Sequence, residues 1–289
     1  MKILVFGADG QVGREIPAVD DGRNDLALLR RPDADLSIAG AAAAAIGKVR
    51  PDAVINAAAW TAVDRAESNA DAAFRINADA VGEIAAACAR IGARFVHIST
   101  DYVYSGYPSD RPLSEDAETG PLNVYGASKL KGETAALASG ANVVILRTSW
   151  VYSVHGANFV KTMLKLAETR EEVPVVADQT GGPTPASAIA KACLALAARR
   201  NGPCGVYHFQ GGPPATWADF ARAVFAAGAR QTQVKDISTM DYPTPARRPA
   251  FTVLDCSKIH RDYGISQPDW KSDLTRTVAT IDGTETLNG

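Results

Sequence analysis

Short β-branched runs that alternate with alanine-rich stretches constrain the N-terminal half of this chain more than any other feature. The runs expected as strands are KILVFG (2–7), DLALLR (25–30), AVINAAA (53–59), RFVHIST (94–100) and NVVILRTS (142–149). Between them lie GQVGREIPAV, IAGAAAAAIGKVR, NADAAFRINADAVGEIAAACARIG and NVYGASKLKGETAALASG, which read as helices. Apolar strands joined by helical crossovers form a parallel sheet, because each strand can then bury both of its faces. The expected class is α/β, a doubly wound parallel sheet whose ligands bind beyond the carboxyl ends of the strands. The second half is less regular. It offers helices at NFVKTMLKLAETREE, IAKACLALAARR and TWADFARAVFAAGAR, strands at VPVVAD and GVYHFQ, and a loop at QTGGPTPAS. The prolines of DYPTPARRPA remove backbone donors, so that stretch reads as an ordered loop or arm.

Charge excludes some partners. Lys and Arg number 30 against 32 Asp and Glu, a formal net charge of -2, which supplies no general attraction to nucleic acid or to an anionic membrane. An anion must therefore be held locally. The apolar run that opens MKILVFG is too short for a signal-peptide core, and no stretch approaches the ~18 apolar residues of a membrane span. Cys88, Cys193, Cys204 and Cys256 are scattered without metal-ligand spacing, which fits a reducing cytoplasm. The closing residues DGTETLNG read as frayed.

The segment KILVFGADGQVGREI runs a strand into Gly7, Gly10, Gln11, Val12 and Gly13 and on into a helix. Glycines there let the backbone turn sharply and approach a pyrophosphate, which the positive end of the helix favours. The spacing is GxxGxxG rather than GxGxxG, and the flanking strand and helix carry the dinucleotide reading. A tight turn without ligand is the bland alternative. The next strand ends in Arg30 and Arg31 where an acid would accept the ribose hydroxyls of NAD, and guanidinium groups suit a 2'-phosphate. NADPH is therefore expected, with NADH as the second option. Asp35 and Leu36 are expected beside the adenine, and Ala57, Ala58 and Ala59 are small enough for a cofactor to lie against the backbone, although alanines also suit close helix packing.

A nicotinamide cofactor implies hydride transfer, and carbonyl reduction also needs a proton donor. In NVYGASKLKGE, Tyr125 and Lys129 stand four residues apart and share a helix face. A free tyrosine titrates at ~10, and an ammonium one turn away lowers that by favouring the phenolate. Thr100, at the strand end in HISTDYVY, completes an expected catalytic set of Thr100, Tyr125 and Lys129. His97 and His208 lie within strands and read as satisfied core histidines.

These features resemble the short-chain dehydrogenase/reductase superfamily in its extended, nucleotide-sugar branch. The resemblance rests on GADGQVGRE, PDAVINAAAWTAVDRAE, STDYVYSG, PLNVYGASKLKGE, LRTSWVY, NFVKTMLKLA, DQTGGPT and YPTPARRP, in that order along nearly the whole chain. It implies that Tyr125 protonates the substrate, that Lys129 tunes it and holds the nicotinamide ribose, and that hydride goes to C4 of a keto-sugar. It also implies sugar contacts from Thr100, Asp101 and Trp150, with Val63 and Glu67 facing them and Asn77 steadying the site backbone. A core tryptophan capping the sheet is the bland alternative for Trp150. Arg247, with Arg248, and Asn158 are candidates for the diphosphate. The division expected is a dinucleotide-binding domain over 1–150 and a smaller, interleaved substrate domain over 151–289, some of whose segments return to the sheet. No metal site is expected. Glu15 matches a glutamate that bridges some family dimers through magnesium, but TPASAIAKA lacks a second and Glu285 is weakly placed, so the chain is expected as a monomer or homodimer. A 4-epimerising sugar-nucleotide enzyme and a silent binding subunit on the same scaffold are the rival readings.

Overall fold

The strand β1, Lys2–Phe6, is almost wholly apolar and lies at the centre of the molecule, a computed structural model that describes residues 1–107, 109 and 111–283. After it come α1 (Gln11–Val19), β2 (Asp25–Leu29), α2 (Ala41–Val49), β3 (Ala53–Asn56), α3 (Val63–Ala66), α4 (Ala70–Phe74), α5 (Ala80–Ile91) and β4 (Arg94–Thr100). The long α6 (Val124–Leu137) leads to β5 (Asn142–Thr148). The strands lie in the order β2-β1-β3-β4-β5, all parallel. The chain moves outward from β1 to β2 and then crosses back to β3, so the order reverses beside β1 and a crevice opens there at the carboxyl ends.

The second half continues with β6 (Val151–Tyr152), α7 (Phe159–Ala167), β7 (Glu172–Val176), β8 (Thr180–Gly181), β9 (Thr184–Pro185) and α8 (Ala186–Ala198). It ends with β10 (Gly205–His208), β11 (Ala215–Thr216), α9 (Trp217–Ala227), β12 (Gln233–Ile237), α10 (Ser257–Tyr263) and α11 (Trp270–Ile281). Residues after 150 do not all leave the sheet. β10 pairs with β5 as its sixth strand, and Ile189, Cys193 and Leu196 of α8 pack with Ile16 of α1 in the apolar layer on one face. Ala42, Ile46, Ile84, Cys88 and Ala136 cover the other face. A separate apolar cluster joins α7, α9 and α11 around Phe220, Trp270 and Leu274.

The structure differs from the sequence expectations at several places. The helix read through NADAAFRINADAVGEIAAACARIG is interrupted by a π-helical turn over Arg75–Asp79. That wider turn directs Asn77 inward, where it makes three hydrogen bonds that a regular helix face would not reach. β3 stops at Asn56: the Ala57 amide still donates to the Phe6 carbonyl at 3.0 Å, but the Asn56 side chain takes the Ala58 amide at 3.1 Å and ends the ladder there. QTGGPTPAS is not a plain loop but contributes β8 and β9. β12, α10 and α11 carried no strong sequence signal and form because tertiary partners cover their apolar residues. The frayed reading of 282–289 falls mostly on residues 284–289, Glu285 among them, which lie outside the described residues.

One buried polar network holds α6 to the sheet. Glu133 and Arg147 pair at 2.6 Å with side chains 2% and 5% exposed, and the arginine Nε adds bonds of 3.0 and 3.2 Å. Arg147 also donates to the Tyr104 hydroxyl at 2.6 Å, and Ser99 donates to Glu133 at 2.5 Å. Removing one partner of such a pair strands a charge in the interior. Glu133→Leu should therefore lose about 3–5 kcal/mol of stability in a denaturant titration. Replacing both partners with apolar residues should restore most of it.

Candidate active site

The crevice at the carboxyl ends is a cleft of about 720 Å³, within the range of small-molecule sites. The glycine loop forms one end. Gly7 has φ +81°, and a side chain there would bring its Cβ within 2.6 Å of the Ala58 nitrogen, so only glycine lets β1 and the residues after β3 meet. A Cβ at Gly13 would collide with the Gly7 carbonyl, so Gly13, which does not line the cleft, seats α1 against the turn. Gly10 caps α1 without a side-chain acceptor, leaving the first-turn amides facing the cleft for an anion. Gln11 and Val12 also line it. Gln11 has a further role: its Oε1 accepts from Ser153 and from Asn158, each at 3.0 Å, tying the glycine loop to the segment before α7. The donor set fits a dinucleotide pyrophosphate, since Gly7, Gly10, Gln11 and Val12 line the cleft where the uncapped helix start lies.

Arg30 and Arg31 follow β2 and line the cleft together with Asp35 and Leu36. Arg30 lies 3.4 Å from Asp9 and Arg31 3.2 Å from Asp35. Both guanidinium groups are mostly exposed, so these pairs hold them weakly and leave them able to turn to an arriving phosphate. Ser37 bonds, with help from Arg31, hold the Asp35 carboxyl below its usual range. Ala57, Ala58 and Ala59 form the floor.

Thr100, Tyr125 and Lys129 all line the cleft, and Tyr125 is bonded to Thr100. Thr100 ends β4, where its hydroxyl accepts from the Tyr102 amide at 3.1 Å and donates to Asp101 at 3.0 Å. Asn123 caps α6 by accepting the Gly126 amide at 2.8 Å, which fixes the turn carrying Tyr125. Glycine at 126 and 132 is required, because a Cβ would collide with the Tyr102 and Asn77 carbonyls, and α6 can lie this close only without one. Lys129 is buried, with Nζ 2.7 Å from the Ile98 carbonyl and 3.2 Å from His97 Nε2. Burial pulls its pKa down to about 8, against the charge of Glu133. Tyr125 behaves differently from the sequence expectation. Burial pushes its phenol up to about 12, a bond to Thr100 opposing and the Asp101 charge reinforcing, because Lys129 reaches toward the strand. Asp101 is itself raised to about 6 by burial, and its Oδ2 has no partner among the described residues.

Trp150 lines the cleft at φ +43°, stacked on Trp217 with ring centres 3.6 Å apart and planes 7° from parallel. Trp217, at the start of α9, also lines the cleft and was missed from the sequence, where its only signal is a tryptophan beside the Thr216 cap. Val63 and Asn158 line the cleft as well. Asn158 spends its amide as the cap of α7 and on Gln11 and the Ser153 carbonyl. Two candidates are placed elsewhere. Glu67 accepts the Val124 amide at 2.8 Å and so caps the helix that carries Tyr125 rather than facing the cleft. Arg247 is exposed and off the cleft wall, its carbonyl accepting from Asn123 at 2.8 Å, while Arg248 pairs with Asp64 at 2.8 Å and pins the proline arm. Asn77 holds both backbone groups of Trp60, at 2.8 and 3.1 Å, and the Ser128 hydroxyl at 3.0 Å, clamping the loop after β3 to α6. Glu15 lies 3.6 Å from His155, and the described residues contain no group of three or more potential metal ligands.

The arrangement can hold a dinucleotide along the strand ends and present a proton donor to a carbonyl beside two stacked indoles. A family model described as the RmlD substrate binding domain matches residues 1–282. The dTDP-4-dehydrorhamnose reductase of Sinorhizobium fredii is 43% identical over 287 residues, covering 96% of this chain and 97% of that protein. That of Escherichia coli K12 is 42% identical over 292 residues, with coverage of 96% and 97%. Among solved structures, a dTDP-4-dehydrorhamnose reductase from Clostridium acetobutylicum superposes with a TM-score of 0.93 at 36% identity, covering 98% of this chain and all of that one. One from Bacillus anthracis, in complex with NADP, does so with a TM-score of 0.88 at 32% identity, covering 96% and 99%.

An NMR titration of lysine-labelled protein tests the electrostatics of this cleft. One lysine resonance, absent in Lys129→Met, should titrate at about 8. A titration shared with the exposed lysines would contradict the burial described.

Proposed function

The chain belongs to the family of the RmlD substrate binding domain, and from that membership and the cleft we propose that it reduces the C4 keto group of dTDP-4-dehydro-L-rhamnose with NADPH, giving dTDP-L-rhamnose. The observation that supports this reading most is that Thr100, Tyr125 and Lys129 line the same cleft as the glycine turn.

When bound, the reduced nicotinamide supplies the hydride that C4 receives. The glycine turn and the open amides of α1 hold the pyrophosphate, Arg30 and Arg31 the 2'-phosphate, and Ala57 to Ala59 the flat adenosine side. Trp150 gives the deoxysugar an apolar wall, kept in place by its stack on Trp217. Thr100 and Tyr125 bond the keto oxygen, and the Tyr125 phenol gives it a proton as negative charge builds there. Lys129 as ammonium steadies the phenolate left behind. Its depressed pKa has a clear sign: the cation is present below about 8 and is lost as pH rises through that value. The four free cysteines, three of them buried, suit a reducing cytoplasm. We place the protein there, as a monomer or homodimer acting on a small nucleotide sugar; among the described residues no helix is long and apolar enough to cross a membrane.

Incubation with NADPH and a panel of nucleotide-linked 4-keto sugars should show reduced-coenzyme absorbance falling with the dTDP-linked substrate, and no oxidation with any of the panel would refute the assignment. Tyr125→Phe should lower kcat by about 10²–10⁴-fold while coenzyme still binds. Turnover of the native protein should decline above about pH 8 as Lys129 loses its proton. NADPH should be used with a higher kcat/KM than NADH, and Arg31→Ala should reduce that ratio roughly tenfold through loss of a charge-assisted bond.

A further inference from the structure

β4 carries His97 into the space between β3 and α6, where its ring is fully buried and both nitrogens meet other nitrogens. Nδ1 lies 3.1 Å from Asn56 Nδ2, and Nε2 lies 3.2 Å from Lys129 Nζ. A neutral imidazole has one N–H and one lone pair, so the two contacts constrain each other. The Asn56 amide is oriented from its far end, where Oδ1 accepts the Ala58 amide at 3.1 Å, and its NH₂ therefore faces the ring. Nδ1 must accept from it, which leaves the ring proton on Nε2, pointing at Lys129. The lysine nitrogen meanwhile donates to the Ile98 carbonyl at 2.7 Å. A neutral amine completes this chain with a donor facing an acceptor at every contact. An ammonium sets two protons against each other at Nε2, or, after tautomer exchange, at Nδ1.

We propose that His97 is a positioning residue for Lys129: fixed by Asn56 as its Nε2–H tautomer, it donates to the lysine nitrogen, favours the amine over the ammonium, and so sets the upper pH limit of turnover. The part concerning turnover rests on the reductase reading, whereas the tautomer does not. His97 stays neutral, since burial and the Lys129 charge hold its pKa well below the ordinary histidine range. Of the neighbouring titratable groups, Glu133 on α6 is the one whose charge acts on Lys129, and Arg147 on β5 balances it, while Asp101 just past β4 acts on Tyr125. None of them offers Nδ1 an alternative acceptor among the described contacts. Glu133 opposes the effect, and burial of Lys129 acts with it.

Long-range ¹H–¹⁵N NMR of the coenzyme-free full chain reads the tautomer directly. The expected result is a protonated Nε2 and a bare Nδ1 at His97; an Nδ1–H tautomer or an imidazolium overturns the proposal. Asn56→Asp offers Nδ1 a carboxylate and still accepts the Ala58 amide, so the ring proton should move to Nδ1 and the Lys129 midpoint should rise by about one pH unit. Asn56→Leu, which frees Nδ1 without adding charge, should raise the midpoint in the same direction, and an unchanged midpoint there overturns the proposal. The basic limb of kcat/KM should shift with the Lys129 midpoint. If the native protein fails to reduce any keto-sugar, the reductase reading falls, while the tautomer and the midpoint still decide the role of His97.

Discussion

The ion pair between Glu133 and Arg147 is the contact on which the working geometry depends. Two charges taken out of water cost several kcal/mol each, and only close, fully bonded geometry recovers that. Here the pair is bidentate and extends through Tyr104 to His208, whose ring nitrogen lies 2.8 Å from the tyrosine hydroxyl. Because Glu133 sits one turn beyond Lys129 on the same helix, the bond that satisfies Arg147 also sets how far α6 slides and how it is rotated against β4 and β5. An apolar contact would permit slippage, whereas a directional charge pair selects one register.

Close backbone approach makes that register usable. Gly126 and Gly132 allow α6 to touch the Tyr102 and Asn77 carbonyls, and Gly7 and Gly13 allow α1 and β3 to close around the turn. The π-helical turn at Arg75–Asp79 adds the clamp from Asn77 to Trp60 and Ser128, so the loop after β3 and the helix carrying Tyr125 move as one piece. Rigid elements are what hold functional side chains in one geometry. The second half completes the cleft from the other side, with Trp217 of α9 fixing Trp150 by stacking and Gln11 drawing the segment before α7 onto the glycine loop.

The charges near the reacting position are also arranged by burial more than by pairing. Lys129 is lowered and Tyr125 raised because each loses water. One helical turn of spacing placed an ammonium beside a phenol in the sequence reading, but the Lys129 nitrogen reaches past it to the Ile98 carbonyl and His97. A spacing argument states which residues share a face. It does not state where a four-carbon side chain ends.

What the sequence determined by itself is periodic or local. The alternation of apolar runs and helical stretches decided the parallel sheet, the glycines between β1 and α1 decided a tight turn with close backbone approach, and the four-residue spacing in α6 put Tyr125 and Lys129 on one face. Such features depend on neighbours in the chain and on backbone sterics, which a string of residues records. What only the tertiary structure decided are meetings between distant segments. These include Trp217 stacking on Trp150, Glu67 capping α6 instead of facing the cleft, Arg248 taken up by Asp64, and His97 placed between Asn56 and Lys129. Their partners lie tens of residues away or more, and a polar side chain goes to whichever buried donor or acceptor the packed fold brings within about 3 Å, because leaving either one unpaired costs more than any local preference.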